Sequence, residues 1–410
     1  MNEINERVTK TLSFINDKVL KSDVNNFIDE SIFSGKLSLG LYSYLVYEID
    51  KDERYLLKTQ EVLESVFSDI SLNKSEIIKN ITLADGLIGL GILLNLLIKK
   101  NHLDQTYLEQ LEVINVNAFE NCLKMIKEER FDYFYGSIGL LHYFSELNEN
   151  DYCNQIIDLL YEYSLKKDFL FYNNFNDPYV EGINFGVAHG SFSIASICAN
   201  LYQKDIRKEK VKEIAIKTIK SLFQFKKDNN KKIKMVRGKL SDYNSLFPYN
   251  ITTNKKGMFS KENKENKYYY TDRLGWCNGD LSRSLIMYRV GVLFDDKEIL
   301  EMANLVGKST LERKKEEETA VRNFHFCHGS SGILHMYSNI YKLTKNEIYE
   351  ESIDYWKNKT LDFLERKIDN EVFFDRDLEA LTGWLGGAVS LYAVGNKNVE
   401  YLNRLFLINI

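Results

Sequence analysis

The chain has 410 residues, 44% hydrophobic and 28% charged, a balance that excludes disorder over most of its length. Only 2 prolines and 22 glycines occur, which disfavours collagen or a loop-dominated β-protein and lets helices run unbroken. A formal net charge of −5 gives no global pull towards nucleic acid, so no nucleic-acid partner is expected.

The first residues, Met1-Asn-Glu-Ile-Asn-Glu-Arg7, lack the basic start and apolar stretch of a secretory signal. The most apolar run, Gly86 to Ile98, is shorter than the roughly 20 residues that span a bilayer. Five cysteines (Cys122, Cys153, Cys198, Cys277 and Cys327) are too sparse, and odd in number, for a disulfide framework. They read as reduced thiols or metal ligands. The expected compartment is the cytoplasm, with any membrane association peripheral and through partners.

Glycine-led apolar segments recur along the chain. They are Leu37-Ser-Leu-Gly40, Gly86-Leu-Ile-Gly89, Gly136-Ser-Ile-Gly139, Gly190-Ser-Phe-Ser193, Gly279-Asp-Leu-Ser282, Gly329-Ser-Ser-Gly332 and Gly383-Trp-Leu-Gly386. Their starts are separated by 49, 50, 54, 89, 50 and 54 residues. Each opens a run that is apolar nearly all round, the mark of a buried helix. Between them lie amphipathic stretches such as Arg207 to Phe225 and Tyr349 to Ile368, with apolar residues at three- and four-residue steps. The expected fold is all-α: one double-layered α/α toroid of about seven helical hairpins over 1–410. The long step places a polar insertion at 226–270, rich in Lys, Asn and Ser and carrying the basic run Lys226 to Arg237. It reads as a solvated loop, the alternative being a surface that helps hold a peptide.

Three segments begin with reactive residues: Ala188-His189-Gly190, Trp276-Cys277-Asn278-Gly279 and Cys327-His328-Gly329. All share one position in the repeat. Cys277, Cys327 and His328 make a soft set of two sulfurs and one nitrogen that suits Zn²⁺ and leaves one tetrahedral position open. The competing account is that both cysteines are core thiols, as free cysteines often are. Their matching repeat positions favour the metal. Cys122, Cys153 and Cys198 have no such partners and read as packing residues. His102 reads as a surface residue, and His142 and His335 as core histidines. His325, two residues before Cys327, is the competing ligand.

These motifs, on a glycine-led helical repeat, resemble the LanC family of lanthionine synthetase cyclases over nearly the whole chain. The resemblance implies an α/α toroid with one zinc held by Cys277, Cys327 and His328. It implies addition of a peptide cysteine to dehydroalanine or dehydrobutyrine, giving a thioether ring in a ribosomal precursor peptide. His189 then matches the proton donor, Arg273 an arginine near the zinc, and Asp132 an acidic residue that orients or tunes the histidine. For Asp132 the plain alternative is a helix N-terminal carboxylate. Two departures stand out. Asn278 replaces a common tyrosine, and Cys277-Asn-Gly-Asp280-Leu-Ser282 replaces Cys-x-Gly-x-Pro-Gly. Asp280 reads either as a partner of a zinc ligand or as a helix-start carboxylate.

With seven repeats filling the chain, a free-standing cyclase is implied. Its expected partners are a dehydrated precursor peptide, a separate dehydratase and, at the membrane, an export transporter. The alternatives are a LanC-like protein that adds glutathione or another thiol to dehydroamino acids, and a non-catalytic peptide-binding module of the same family.

Overall fold

Each glycine-led run becomes a helix. The computed structural model describes residues 2–27, 29–177, 180–227, 244–253, 266–370 and 373–410. In chain order its helices are α1 (Asn2–Lys21), α2 (Lys36–Asp50), α3 (Glu53–Ser71), α4 (Leu87–Lys99), α5 (Leu108–Lys127), α6 (Ser137–Leu147), α7 (Asn150–Lys166), α8 (Ser191–Gln203) and α9 (Lys208–Phe223). Then come α10 (Asp280–Phe294), α11 (Lys297–Leu311), α12 (Glu316–Thr319), α13 (Ser330–Thr344), α14 (Glu350–Asp369), α15 (Trp384–Val394) and α16 (Glu400–Leu405). Among the described residues no helix is long and apolar enough to cross a membrane.

The glycine-led helices α2, α4, α6, α8, α10, α13 and α15 are buried along most of their length, α10 including Asp280, Arg283 and Arg289. Their partners show one wet face. An extended glycine caps the N-terminus of each, with no side-chain cap bond. The first repeat differs from expectation: α2 starts behind Gly35, two residues ahead of Leu37. Gly40, which set the sequence register there, lies inside the helix against Val62 and Leu93.

Close approach explains the glycine. A Cβ on Gly136 would stand 2.5 Å from the Asp132 nitrogen and 2.6 Å from the Arg130 carbonyl oxygen. The chain doubles back there, and Ser137 N, first in its helix, donates to Arg130 O at 2.9 Å. The same closure joins Lys36 to Asp29 (3.0 Å), Leu87 to Asn80 (3.1 Å) and Ser330 to Asn323 (3.0 Å). It satisfies an amide that a helix start otherwise leaves without a partner. Gly136→Ala is therefore expected to cost about 1–3 kcal/mol by overpacking. Urea unfolding measures it, and a wild-type midpoint would remove the packing argument.

Contacts gather the chain into two units, Met1–Asn115 with Val321–Leu405, and Val116–Ala320 with Phe406–Ile410. In the first, α2 packs on α3, α13 on α14 and α15, and α1 against α14 and α15. In the second, α6 packs on α7, α8 on α9, and α10 on α11 and α8. The segment Phe406–Ile410 is built into this second unit. Phe406, Leu407 and Ile408 are fully buried, and Trp276 Nε1 donates to Phe406 O at 2.7 Å. Ser196 Oγ donates to Leu407 O at 3.0 Å and Asn409 Nδ2 to Asn200 Oδ1 at 2.8 Å.

The second unit also holds a small antiparallel sheet of β1 (Ile183–Asn184), β2 (Asn250–Thr252) and β3 (Lys267–Tyr269), in that order. Ile183 faces Ile251, which faces Tyr268. Two of these strands come from the stretch expected as a polar insertion. Beyond Lys227, the basic run of that stretch lies outside the described residues.

Candidate functional site

Asp132 lies in the doubled-back loop ahead of α6 and is fully buried. Its Oδ1 accepts from Tyr135 N at 2.7 Å, and its Oδ2 accepts from His189 Nδ1 at 2.8 Å. An ionised carboxylate only accepts, so Nδ1 carries the proton and Nε2 is left for other chemistry. The histidine side chain is 25% exposed, open enough to meet a substrate. Phe134 meets its ring edge-on at 5.3 Å, and Tyr135 stacks at 6.1 Å. Burial pulls the imidazole towards its neutral form. The charge and hydrogen bond of Asp132, with smaller contributions from Cys277 and Asp177, outweigh that and hold its pKa above 6.5.

The loop carrying His189 is fixed from several sides. Asn184 Oδ1 accepts from Gly186 N at 2.8 Å, and Phe185 N donates to Tyr249 O at 2.9 Å, next to β2. Val187 N and Ala188 N both donate to the carbonyl of Cys277, at 3.0 and 3.2 Å. A Cβ on Gly190 would collide with the Asn184 carbonyl, and one on Gly186 would stand 2.5 Å from the Cys277 oxygen. The main chains of His189 and Cys277 are thus neighbours in the second unit.

Cys277 is half-buried. Just after it, Asn278 Oδ1 accepts from Arg283 Nη2 at 2.6 Å. Arg283 Nη1 also donates to Asp280 Oδ1 at 3.1 Å, while Asp280 Oδ2 accepts from Arg313 Nη1 at 3.3 Å and Leu246 N at 3.0 Å. Burial pulls the Arg283 guanidinium down to about 10. Of the two roles read for Asp280, the structure gives the helix start, with its carboxylate taken up by two buried arginines. Arg273 is exposed and, among the described residues, its side chain forms no hydrogen bond or ion pair. Its carbonyl packs where a Cβ on Gly279 would stand, 2.7 Å away.

Cys327 and His328 belong to the first unit, in the doubled-back loop ahead of α13, and both are half-buried. Cys327 N donates to Leu381 O at 2.9 Å. His325 lies edge-on to His328, ring centroids 5.5 Å apart. Burial, then the neighbouring His328 and Lys367, push His325 down to about 4. Within neither unit, among the described residues, do three His, Cys, Asp or Glu side chains form a group that could hold a metal. The expected donors are divided, Cys277 in one unit and Cys327 with His328 in the other. Donor chemistry still sorts the cysteines. Cys122, Cys153 and Cys198 are buried and their thiols are pushed up by it, Cys153 to about 12. Cys277 and Cys327 are the two that reach solvent.

His335 is a core histidine, Nε2 against Asn403 Oδ1 at 2.8 Å, and His142 is buried. His102, expected at the surface, is half-buried edge-on against Tyr44 and Tyr47, at 5.7 and 5.2 Å. Sequence reasoning missed Arg283 and Asn173. Two arginines, Arg283 and Arg289, inside the otherwise largely apolar stretch Leu281 to Val290 were a usable signal for the first. Asn173, whose amide bridges the main chains at Phe131 and His189, has none.

A family model described as lanthionine synthetase C-like protein matches residues 26–406. Among solved structures, nisin cyclase superposes with a TM-score of 0.66 at 18% sequence identity, covering 100% of this chain and 98% of that one. The helical fold expected from the repeat is thereby shown. No curated protein sequence matches the chain.

Proposed function

The chain belongs to the lanthionine synthetase C-like family, and from that premise we propose that it is a cyclase closing thioether rings in a dehydrated precursor peptide. The observation that carries the reading is the buried Asp132 bonded to His189 Nδ1, on a loop whose amides hold the carbonyl of Cys277. The metal ligands in this reading are Cys277, Cys327 and His328. Two solvent-reaching thiols and an imidazole are a donor set that fits Zn²⁺. When bound, that ion lowers the pKa of an incoming thiol, which is otherwise near 8.5.

Addition of a thiolate to the β-carbon of a dehydroamino acid forms the C–S bond and moves the displaced electron pair to the carbonyl oxygen as an enolate. The α-carbon then takes a proton. His189 supplies it from Nε2, because Asp132 occupies Nδ1 and stabilises the charged ring. Arg273, exposed and without a side-chain partner among the described residues, meets the enolate oxygen or a peptide carbonyl. The substrate needs a separate dehydratase to make it, and an export transporter and a cytoplasmic site of action complete the reading.

Incubation with a dehydrated precursor, followed by thiol alkylation and mass spectrometry, tests it. Ring closure removes free thiols at constant peptide mass. Thiols that persist at the level of a protein-free control would sink the proposal, and a glutathione adduct in place of a ring would move it to an external thiol.

The pH profile is a further check. The donor must be protonated, so the rate falls as pH rises through the pKa of His189, and that limb is expected above 6.5. Asp132→Asn removes the charge that raises this pKa and leaves the burial that lowers it. The limb should therefore move to lower pH. An unmoved limb would assign the titration to another group.

A further inference from the structure

We infer that Asn173 is a positioning residue that sets the approach of His189 to Asp132. Its carboxamide spans two separate stretches of chain. Nδ2 donates to the carbonyl of His189 at 2.7 Å, and Oδ1 accepts from the amide of Phe131, next to Asp132, at 2.8 Å. One rigid, planar group thus holds the main chain on both sides of the 2.8 Å bond between His189 and Asp132.

The bridge is itself fixed. Asn173 N donates to Gly182 O at 2.8 Å, and Gly182 N returns the bond at 2.9 Å. Gly182 has φ +118°, a conformation that side-chain-bearing residues rarely adopt, and it leads directly into β1. Asn174 N donates to Glu129 O at 2.9 Å, which ties the next residue to the same Asp132 loop. Asn173 is 2% exposed, so water does not compete for its amide. The task needs a donor and an acceptor a fixed distance apart on a short stem. Aspartate has no donor, and serine reaches one partner but not both.

Loss of the bridge lets the two loops drift, and a misplacement of about 1 Å can cost on the order of 10²-fold in rate. The catalytic part of this inference rests on the proposed role of His189, whereas the positioning part does not. The test uses Asn173→Ala and Asn173→Ser in the full chain with its metal. The His189 imidazole is followed by NMR titration and identified by the resonance that His189→Asn removes. Among the described residues, the titratable groups acting most strongly on this ring are Asp132, then Cys277 and Asp177.

The expected result is a His189 titration at lower pH in Asn173→Ala, with kcat reduced roughly 10–100-fold and KM unchanged. Asn173→Ser should fall between it and wild type, and it carries the measurement if the alanine variant does not fold. A lower melting temperature with an unchanged His189 titration would overturn the inference and make Asn173 a plain structural residue. If the wild-type protein closes no rings, the proposed function fails while the titration still decides the role of Asn173.

Discussion

Cys327→Ala is expected to emerge from purification without zinc and without measurable ring closure, as is Cys277→Ala, while Cys122→Ala keeps both. On the proposed ligand set, either of the first two changes leaves one sulfur and one nitrogen, too few for a tetrahedral site that also admits a substrate. The incoming thiol then offers only the few per cent of thiolate present near pH 7. Cys122 is a sound control because it is fully buried, its thiol is pushed up by burial, and its Sγ faces Ser137 O at 3.6 Å. Metal analysis and thiol counting on the same preparation measure both outcomes. Zinc that survives loss of Cys327 would refute the donor set and make His325, in ring contact with His328, the next ligand to examine.

His189→Asn should separate proton transfer from metal binding. It is expected to keep full zinc content and to slow ring closure by roughly 10²–10⁴-fold, the usual worth of a general acid. The substrate should still bind, since the proposed ligands are intact. Asp132 would lose its imidazole partner but keep the Tyr135 amide, so its buried carboxylate is not stranded. A variant that loses its zinc would make His189 a ligand, and one with wild-type rate would remove it from the reaction.

The glycine-led helices were legible in the sequence because a single physical need, a close backbone approach ahead of each buried helix, writes the same residue seven times. The first register slipped because Gly40 meets a different need, contact with Val62 and Leu93, and so mimicked the repeat. Asp132 was tied to His189 only through the family resemblance, with a helix N-terminal carboxylate as the plain alternative, and the structure has the two bonded at 2.8 Å. Asp280 was ambiguous because what decides its role, Arg313 and the Leu246 amide, lies far along the chain. The small sheet was hidden by the Lys, Asn and Ser around it. Tyr268-Tyr269-Tyr270 was the available clue, since aromatic residues favour strands. Asn173 was illegible in principle, because a side chain that bonds only to main chain leaves no pattern in the residues it serves.

The placement of Phe406–Ile410 in the second unit bears on how the polypeptide is made. Synthesis delivers Val116–Ala320, then the whole of Val321–Leu405, and only then Phe406–Ile410, where the Phe406 and Leu407 carbonyls accept from Trp276 and Ser196. At about 5–20 residues per second the intervening stretch takes on the order of 4–17 s on the ribosome. Throughout that interval Trp276, one residue before Cys277, has neither its carbonyl acceptor nor the Phe406 ring that lies 5.6 Å from it in the finished protein. The peptide around Cys277 is thus completed late, after the segment carrying Cys327 and His328 has already been translated.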